Sequence, residues 1–234
     1  MSDAVIPRIA LGLPARGQVH CQTQHSLINM VGRFTQLFVA SGQAELAVIT
    51  VDGTLLPQMR NTIVEQAIAR ECTHVLWVDS DMMFPAHSLE RLLQHNEPVV
   101  GCNYAQRKRP SKPTSARSDG NGGRIWVYGD EGLGEKVPAE FLGHGLCLVE
   151  TSVYEAMPAP WYMLGWSVAK QNIIGEDVFF FQKMKRIGGV VPYIDTVLSA
   201  EVRHIGDHDY SLADAIEDRP AVIAEIEKEA ASGS

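Results

Sequence analysis

The sequence lacks the features that mark several classes of protein. Its four cysteines form no C-x-x-C pair, which argues against a zinc ribbon or a thioredoxin-type motif. The first eight residues contain no apolar core of a signal peptide, and no apolar run approaches the ~20 residues that cross a bilayer. A net charge of −8 disfavours a protein that binds nucleic acid over its whole surface. We therefore expect a soluble cytoplasmic protein whose cysteines are small core residues.

The composition is that of an ordinary globular protein. Of the 234 residues, 45% are hydrophobic and 21% are charged, which excludes a disordered chain, a collagen-like fibre and a disulfide-stapled miniprotein. Strand-like apolar runs alternate with helical periodicity, which is typical of an α/β domain with a mostly parallel central sheet flanked by helices. We expect a single domain over residues 1–210 and an acidic amphipathic tail over residues 211–234.

Hydrophobic periodicity predicts where the strands and helices lie. Strands are predicted at Ile6–Leu13, Leu46–Val51, Val75–Val78, Val99–Gly101, Ile125–Tyr128, Leu146–Val149 and, as the last strand, Val190–Val197. Helices are predicted at residues 24–41, 57–71, 86–95 and 176–187, the last ending at Gly188-Gly189. Residues 105–123, which are polar and basic, are predicted to form a long mobile loop. The apolar side of the tail is predicted at Ile216, Val222, Ile223 and Ile226.

The sharpest chemical signal is Asp79-Ser80-Asp81, directly after the apolar strand Val75–Val78. Residues two apart in an extended segment point to the same side, so both carboxylates can converge at the carboxyl end of a strand. Two such anions repel each other unless a divalent cation lies between them, and carboxylate oxygens suit Mg²⁺ or Mn²⁺. The alternative is that one aspartate caps the next helix while the other is merely solvated.

Two further signals accompany the aspartates. Glu176 and Asp177 begin a predicted helix, where acidic residues favour the positive end of the helix dipole, but one of them could instead act as a base. His204 follows the last predicted strand, as the two aspartates follow theirs, so its imidazole could complete a metal site. A nitrogen ligand would favour Mn²⁺ over Ca²⁺. A lone histidine is more often structural.

Taken in order, these segments resemble the nucleotide-sugar-dependent glycosyltransferases of the GT-A fold, from about Ile6 to Gly206. The layout is also similar to that of fungal mannan-polymerase mannosyltransferases and of small phage and bacterial glycosyltransferases. The segments that carry the resemblance are Arg60-Asn61, His74–Met82, Gly143–Val149, Pro160–Tyr162, Gly175–Phe180 and Arg203–Gly206.

The resemblance implies a role for each matched residue. Metal ligands would be Asp79, Asp81 and His204, holding Mn²⁺ or Mg²⁺ against the diphosphate of a nucleotide-sugar donor. The donor would be contacted by Pro14, Arg16, Asp52, Arg60, Asp79 and Ser80. Of these, Arg60 would either approach the diphosphate or orient the aspartate motif. Asp177, or as second choice Glu176, would be the general base beside the acceptor hydroxyl. The acceptor would be contacted by Gly143, His144, Gly145 and Trp161. Glycines there would let the backbone approach a sugar.

The segment from Arg107 to Lys112 leaves the nature of the acceptor open. It holds four positive charges, either as a solvated loop or as a grip on the nucleotide or on a charged acceptor. If that acceptor is a modified base in phage DNA, this segment would be its contact. The aromatic residues Trp161, Tyr162 and Trp166 could stack on a sugar, although such residues are more often core, as we expect for Phe179–Phe181.

Two other hypotheses belong to different classes of function. A sugar-nucleotide nucleotidyltransferase would usually begin with a Gly-rich basic loop, which Leu11–Gly17 does not match. A non-catalytic nucleotide-sugar binding module would not need Asp79, Asp81, Asp177 and His204 together.

Overall fold

The computed structural model describes residues 6–121, 123–168 and 171–232. The helices are α1 (Cys21–Phe34), α2 (Leu56–Ala69), α3 (Ser88–Gln94), α4 (Thr151–Glu155), α5 (Glu176–Gly188), α6 (Thr196–Glu201) and α7 (Leu212–Ser232), with a π-helical turn at Thr35–Val39 after α1. The strands are β1 (Arg8–Ala15), β2 (Glu45–Asp52), β3 (His74–Val78), β4 (Met82–Met83), β5 (Val99–Gly101), β6 (Ala116–Ser118), β7 (Arg124–Trp126), β8 (Lys136–Pro138), β9 (Leu146–Glu150), β10 (Gly165–Ser167), β11 (Asn172–Ile174), β12 (Tyr193–Asp195), β13 (Arg203–Ile205) and β14 (Asp209–Tyr210).

A seven-stranded sheet forms the centre of the molecule, with strand order β2-β1-β3-β9-β5-β12-β8. Strands β2, β1, β3, β5 and β12 run in one direction, whereas β9 and β8 run in the other. The predicted fold class, an α/β protein with a mostly parallel central sheet and flanking helices, is therefore confirmed. The antiparallel insertion of β9 between β3 and β5 was not predicted.

Each face of the sheet is covered by its own hydrophobic core. Trp77 of β3 packs on one face, with residues of α2 and α5 that include Ile63 and Phe180. Its neighbour Leu76 packs on the opposite face, with residues of α1 and α3 such as Met30. Alternate residues of a strand point to opposite faces, so the uninterrupted apolar run of β3 is the signature of a strand covered on both sides.

The segment predicted as the last strand is shorter than expected and is not the last. Strand β12 ends at Asp195, whose carboxylate accepts a hydrogen bond from the backbone N–H of Leu198 and so caps helix α6. Because this cap begins a helix inside the predicted strand, the strand cannot continue to Val197. After α6, β13 pairs with β4 and β14 in a separate three-stranded sheet.

Residues 105–123 do not form one long loop. Ala105 pairs with Pro113, and β6 pairs with β7. The segment folds back onto the buried side chain of Asn103, whose Oδ1 accepts a hydrogen bond from the backbone N–H of Ser115. The side chain of Asn103 thus takes the place of solvent as the hydrogen-bond partner of the buried N–H of Ser115. A loop predicted from composition does not include such a contact.

The acidic tail is helix α7, and its buried face differs from the predicted one. Leu212, Ala215 and Val222 are buried, and Ala215 packs in a small core with Tyr128. Of the predicted apolar residues, Val222 is buried as expected, whereas Ile216, Ile223 and Ile226 are exposed. The isoleucines therefore did not identify the face that meets the domain.

Two expectations from composition can be compared with the structure. Cys72, Cys102 and Cys147 are buried free thiols, as predicted, but Cys21 is exposed. None of the helices in residues 6–121, 123–168 and 171–232 combines the length and the apolarity that crossing a membrane requires.

Candidate active site

A cavity of about 440 Å³ opens at the carboxyl ends of β1 and β3. It is lined by Pro14, Arg16, Gln18, His20, Leu56, Met59, Asp79, Ser80, Asp81, Arg107 and His204. Residues as far apart in the sequence as Pro14 and His204, which are separated by 190 positions, therefore line the same cavity. The carboxyl edge of parallel strands is the common place for ligand binding in open α/β sheets.

Backbone hydrogen bonds hold the Asp79-Ser80-Asp81 turn from three sides. The N–H of Asp79 donates to the carbonyl of Gly145, at 3.1 Å. The carbonyl of Ser80 accepts from the N–H of His20, at 2.9 Å, and the carbonyl of Asp81 accepts from the N–H of Ile205, at 2.8 Å. The turn is thus a rigid support for the two carboxylates, because residues directly before β9, directly before α1 and on β13 all fix its backbone.

Asp81 lies between two cationic or potentially cationic side chains. Its Oδ2 is 2.6 Å from Nη1 of Arg107, and its Oδ1 is 3.5 Å from Nε2 of His204. Burial alone would raise the pKa of Asp81, but the hydrogen bond and charge of His204 and the charge of Arg107 outweigh it and lower that pKa. The carboxylate is therefore held in its charged form.

His204 presents a defined nitrogen to Asp81. Its Nδ1 lies 3.0 Å from the carbonyl oxygen of Ala105, and since a carbonyl only accepts, Nδ1 carries a proton. In the neutral ring, Nε2 then directs a lone pair at the Asp81 carboxylate. Two acceptors that face each other need a proton or a cation between them, and a backbone carbonyl on the other ring nitrogen is typical of histidines that bind metals.

Asp79 is occupied differently. Its Oδ1 accepts a hydrogen bond from Nη2 of Arg60, at 2.8 Å. Arg60 is only 1% exposed and also places Nε 3.3 Å from Oε1 of Glu176. The Arg60 guanidinium lies over the ring of Trp77, at 5.2 Å from its centroid. Although burial opposes the charge, both carboxylates raise the pKa of Arg60 above its usual value, so this residue joins the two acidic motifs as a permanent cation.

The predicted set of three metal ligands is therefore divided. Within the part of the chain that the structure describes, no three His, Cys, Asp or Glu side chains are gathered as a metal site. Asp81 and His204 are adjacent, but Oδ1 of Asp79 is held by Arg60. The buried guanidinium attracts Asp79 because a charge without a partner inside the protein is costly.

Asp177 and Glu176 begin helix α5, after Gly175 at the N-cap. Burial, followed by the negative charge of Glu176, raises the pKa of Asp177 to about 6, although the N–H of Val178 and the charge of Arg60 act in the opposite direction. Its Oδ1 lies 2.6 Å from that N–H. A carboxylate with such a pKa can accept a proton near neutral pH, whereas Glu176 already balances the charge of Arg60.

The end of β1 is fixed by Asp52. Its Oδ1 accepts a hydrogen bond from the N–H of Gly17, at 2.7 Å, so Asp52 shapes the turn that carries Arg16. Pro14 is buried at the cavity wall, while Arg16 is exposed at its rim. Asp52 is not among the residues that line the cavity, and in the structure it supports the turn beside it.

A197 from STIV has a similar fold. Its crystal structure is 15% identical in sequence, superposes with a TM-score of 0.56, and is matched over 86% of both chains. At this identity the likeness shows the fold alone. No protein-family model and no curated protein matches the chain.

The predicted acceptor side lies in the protein interior instead of in the cavity. His144 is 1% exposed, and its Nε2 is 3.0 Å from the hydroxyl of Tyr162. Trp161 is 8% exposed and donates from Nε1 to the backbone carbonyl of Tyr154, at 2.8 Å. Burial and the nearby charge of Arg60 hold the pKa of His144 well below its usual value. Aromatic rings surround His144, while Trp161 packs edge-on against the ring of Tyr154.

Gly143 and Gly145 make room for Tyr104 and not for a sugar. A Cβ atom on Gly145 would lie 2.6 Å from the hydroxyl oxygen of Tyr104, and one on Gly143 would lie closer still. That hydroxyl accepts a hydrogen bond from the N–H of Gly145, at 2.8 Å. The Tyr104 ring also packs edge-on against His204, with centroids 5.2 Å apart.

Tyr104, Gln18 and His20 were not predicted from the sequence. Tyr104 lies three residues after β5 ends at Gly101, at the same edge of the sheet as Asp79. That position after a parallel strand was a usable signal. No comparable signal marks Gln18 and His20, because the turn after β1 has no periodicity and only tertiary contacts bring it to the cavity.

Proposed function

We propose that this protein is a glycosyltransferase that moves a sugar from a nucleotide-diphosphate sugar to a hydroxyl acceptor. The observation that supports this most is the cavity at the ends of β1 and β3. It gathers Pro14, Arg16, Ser80, Asp81 and His204, which were predicted for donor and metal binding from separate segments of the sequence.

The chemistry of the side chains fits a divalent cation, Mn²⁺ or Mg²⁺. Asp81 and His204 offer one carboxylate and one imidazole nitrogen 3.5 Å apart, with the tautomer of His204 fixed by Ala105. These two residues would hold the ion, and Asp79, anchored by Arg60, would add a carboxylate at the same edge. A bound cation would neutralise the charge that develops on the departing diphosphate.

The remaining donor contacts would come from the other walls of the cavity. Arg16 is exposed at the rim, where its charge can reach a phosphate, and Pro14 offers an apolar surface to the nucleoside. Arg107 projects from the opposite side and adds a second guanidinium. Positive groups placed beforehand around a developing anion stabilise it without reorganising during the reaction.

Asp177 would act as the general base in a transfer that inverts configuration. Its carboxylate would accept the proton of the acceptor hydroxyl while that oxygen bonds to the anomeric carbon and the diphosphate leaves. A pKa of about 6 suits this role, because most Asp177 side chains are ionised at pH 7 yet still basic. Glu176 is the weaker candidate since it pairs with Arg60.

The ion pairs weaken the case for a DNA acceptor. Arg107 pairs with Asp81, and Arg109 pairs with carboxylates of α7. Two of the four cations of the basic segment are thus already neutralised within the protein. The alternative is a non-catalytic module that binds nucleotide sugars, in which Asp177 would have no catalytic role.

The experiment that tests this proposal measures the binding of nucleotide sugars, with and without Mn²⁺, by calorimetry. It then measures the slow hydrolysis of any sugar that binds. We expect Mn²⁺-dependent donor binding that Asp81→Asn weakens about 100-fold, since a charged cation ligand is lost. Glu155→Gln removes an exposed negative charge on α4 and serves as the matched control, with no expected change.

If no nucleotide sugar binds to the wild-type protein under either condition, the proposed function is wrong. If donors bind but are never hydrolysed or transferred, the binding module is the better description.

A further inference from the structure

The basic segment 106–112 is a folded clamp on the cavity. The N–H of Gln106 donates to the carbonyl of Lys112, at 2.8 Å, and the buried Ser111 donates from Oγ to the carbonyl of Gln106, at 2.8 Å. These bonds close the segment on itself. Its guanidinium groups therefore project from a defined scaffold.

Helix α7 holds this clamp through Arg109. The three nitrogens of that guanidinium lie 3.0 Å from Asp214 Oδ1, 3.3 Å from Glu217 Oε2 and 2.8 Å from Asp218 Oδ2. Asp218 also accepts a hydrogen bond from the backbone N–H of Ser111, at 2.6 Å. Networks of this kind position a segment more firmly than a single surface pair does.

The clamp places Arg107 on the carboxylate that the proposed cation needs. Nη1 of Arg107 lies 2.6 Å from Asp81 Oδ2, while the side chain of Arg107 remains 48% exposed. A guanidinium and a divalent cation carry the same sign of charge. They cannot both contact one carboxylate without strong repulsion, because charges at such short range are poorly screened.

We propose that Arg107 and a divalent cation compete for Asp81, and that α7 sets this competition by holding segment 106–112 through Arg109. Without the cation, Arg107 balances the charge of Asp81. When the cation binds, the exposed guanidinium leaves Asp81 and becomes free to contact an anion in the cavity, such as the donor diphosphate. The inference rests on the cation site of the proposed function.

The test measures Mn²⁺ affinity in the absence of any nucleotide, by calorimetry or by the electron paramagnetic resonance of free Mn²⁺. Arg107→Gln should bind Mn²⁺ about tenfold more tightly than wild type, since the competing charge is gone. Lys108→Gln removes the same charge from the neighbouring residue, which is exposed and forms no ion pair with a described residue. It should change the affinity less than about twofold.

Two further variants complete the series. Asp81→Asn should lose Mn²⁺ binding in both the wild-type and the Arg107→Gln background. Arg109→Gln, which releases the clamp from α7, should bind Mn²⁺ more tightly than wild type but less tightly than Arg107→Gln. Circular dichroism checks that each variant is folded.

Equal affinities of Arg107→Gln and Lys108→Gln would overturn the competition, as would a complete lack of Mn²⁺ binding by Arg107→Gln. Wild-type affinity in Arg109→Gln would remove α7 from the inference. These outcomes are separate from those that test the glycosyltransferase. Mn²⁺-dependent sugar transfer with no effect of Arg107→Gln would refute only the competition, whereas competition without any donor binding would refute only the proposed function.

Discussion

Two neighbouring regions of this molecule carry similar polar motifs in different environments, one at the rim of the cavity and one in the protein interior. At the rim of the cavity, Asp79 and Asp81 each pair with a guanidinium group, that of Arg60 and that of Arg107. In the interior, His144 is surrounded by rings of Trp77, Tyr162 and Phe180, and burial keeps it neutral. The difference teaches that a motif of polar and small residues marks a site only where solvent or a ligand can reach it.

Arg60 belongs to both regions. Its aliphatic and planar parts pack with Trp77 and Tyr162, while its nitrogens reach Asp79 and Glu176. Changes at Arg60 should therefore disturb stability and the site together, whereas changes on either side should separate the two effects.

The largest expected effect is that of Arg60→Gln. Removing this buried cation leaves Asp79 and Glu176 without their partner, so we expect the free energy of unfolding to fall by about 3 to 5 kcal/mol. Urea denaturation measures the change. Arg70→Gln, at the exposed end of the same helix, should shift stability by less than about 0.5 kcal/mol. A small effect at Arg60 would show that the two regions are not joined through it.

The effect of Asp177→Asn on catalysis should be the next largest. If Asp177 is the general base, sugar transfer should fall by about 10² to 10⁴-fold while donor affinity stays unchanged. In the wild-type enzyme, kcat/KM should rise with pH up to the pKa of about 6 and level off above it, because the base must be ionised. An Asn variant that retained this acidic limb would exclude Asp177 as its source.

Tyr162→Phe should affect stability but not the cavity. The Tyr162 hydroxyl lies 2.9 Å from that of Tyr154 and 3.0 Å from Nε2 of His144, so its loss leaves buried polar groups unpaired. We expect a loss of about 1 to 3 kcal/mol in urea denaturation and an unchanged donor affinity. Tyr193→Phe is the control, since that hydroxyl forms no hydrogen bond with a described residue. Weakened donor binding by Tyr162→Phe would break the distinction between the two regions.

The smallest expected effect is a gain of stability in Asp177→Asn. The pKa of Asp177 is raised to about 6 in the folded protein, so as the pH rises the unfolded chain loses this proton first. The stability of the wild type therefore falls as the pH rises from about 4 to about 6. Asparagine does not ionise. The variant should therefore exceed wild type by about 1 to 2 kcal/mol at pH 7 and by little at pH 4, as measured by thermal or urea unfolding across this range. An equal difference at both pH values would contradict the raised pKa.

Much of the central sheet could be predicted from local pattern. The apolar run Val75–Val78 and the strand Val99–Gly101 appear nearly as expected, since burial on both faces leaves a plain signature in the sequence. Helix α5 ends as predicted, with Gly189 in the left-handed region at φ 63°. The separate sheet of β4, β13 and β14 left no such signature, because its strands are only two or three residues long.

The acidic residues of the candidate site could also be located by sequence, but not all of their partners. Asp81 and His204 were expected together, and they are adjacent. The resemblance included Arg60 as a residue that orients the aspartate motif, and Arg60 pairs with Asp79. The pairing of Asp81 with Arg107 was not predicted, because it depends on which cations the fold carries to the same edge. Charge, unlike hydrophobicity, has no period along the chain that reveals its partner.

The sequence by itself determined the α/β class, the positions of the main strands along the chain and the position of the acidic turn after β3. Each of these depends on patterns within a few residues. Only the tertiary structure decided that His144 and Trp161 are interior, that Tyr104 fills the space above two glycines, and that Arg109 pairs with α7. Solvent access and ion pairing depend on packing between segments distant in sequence, and no local pattern records them.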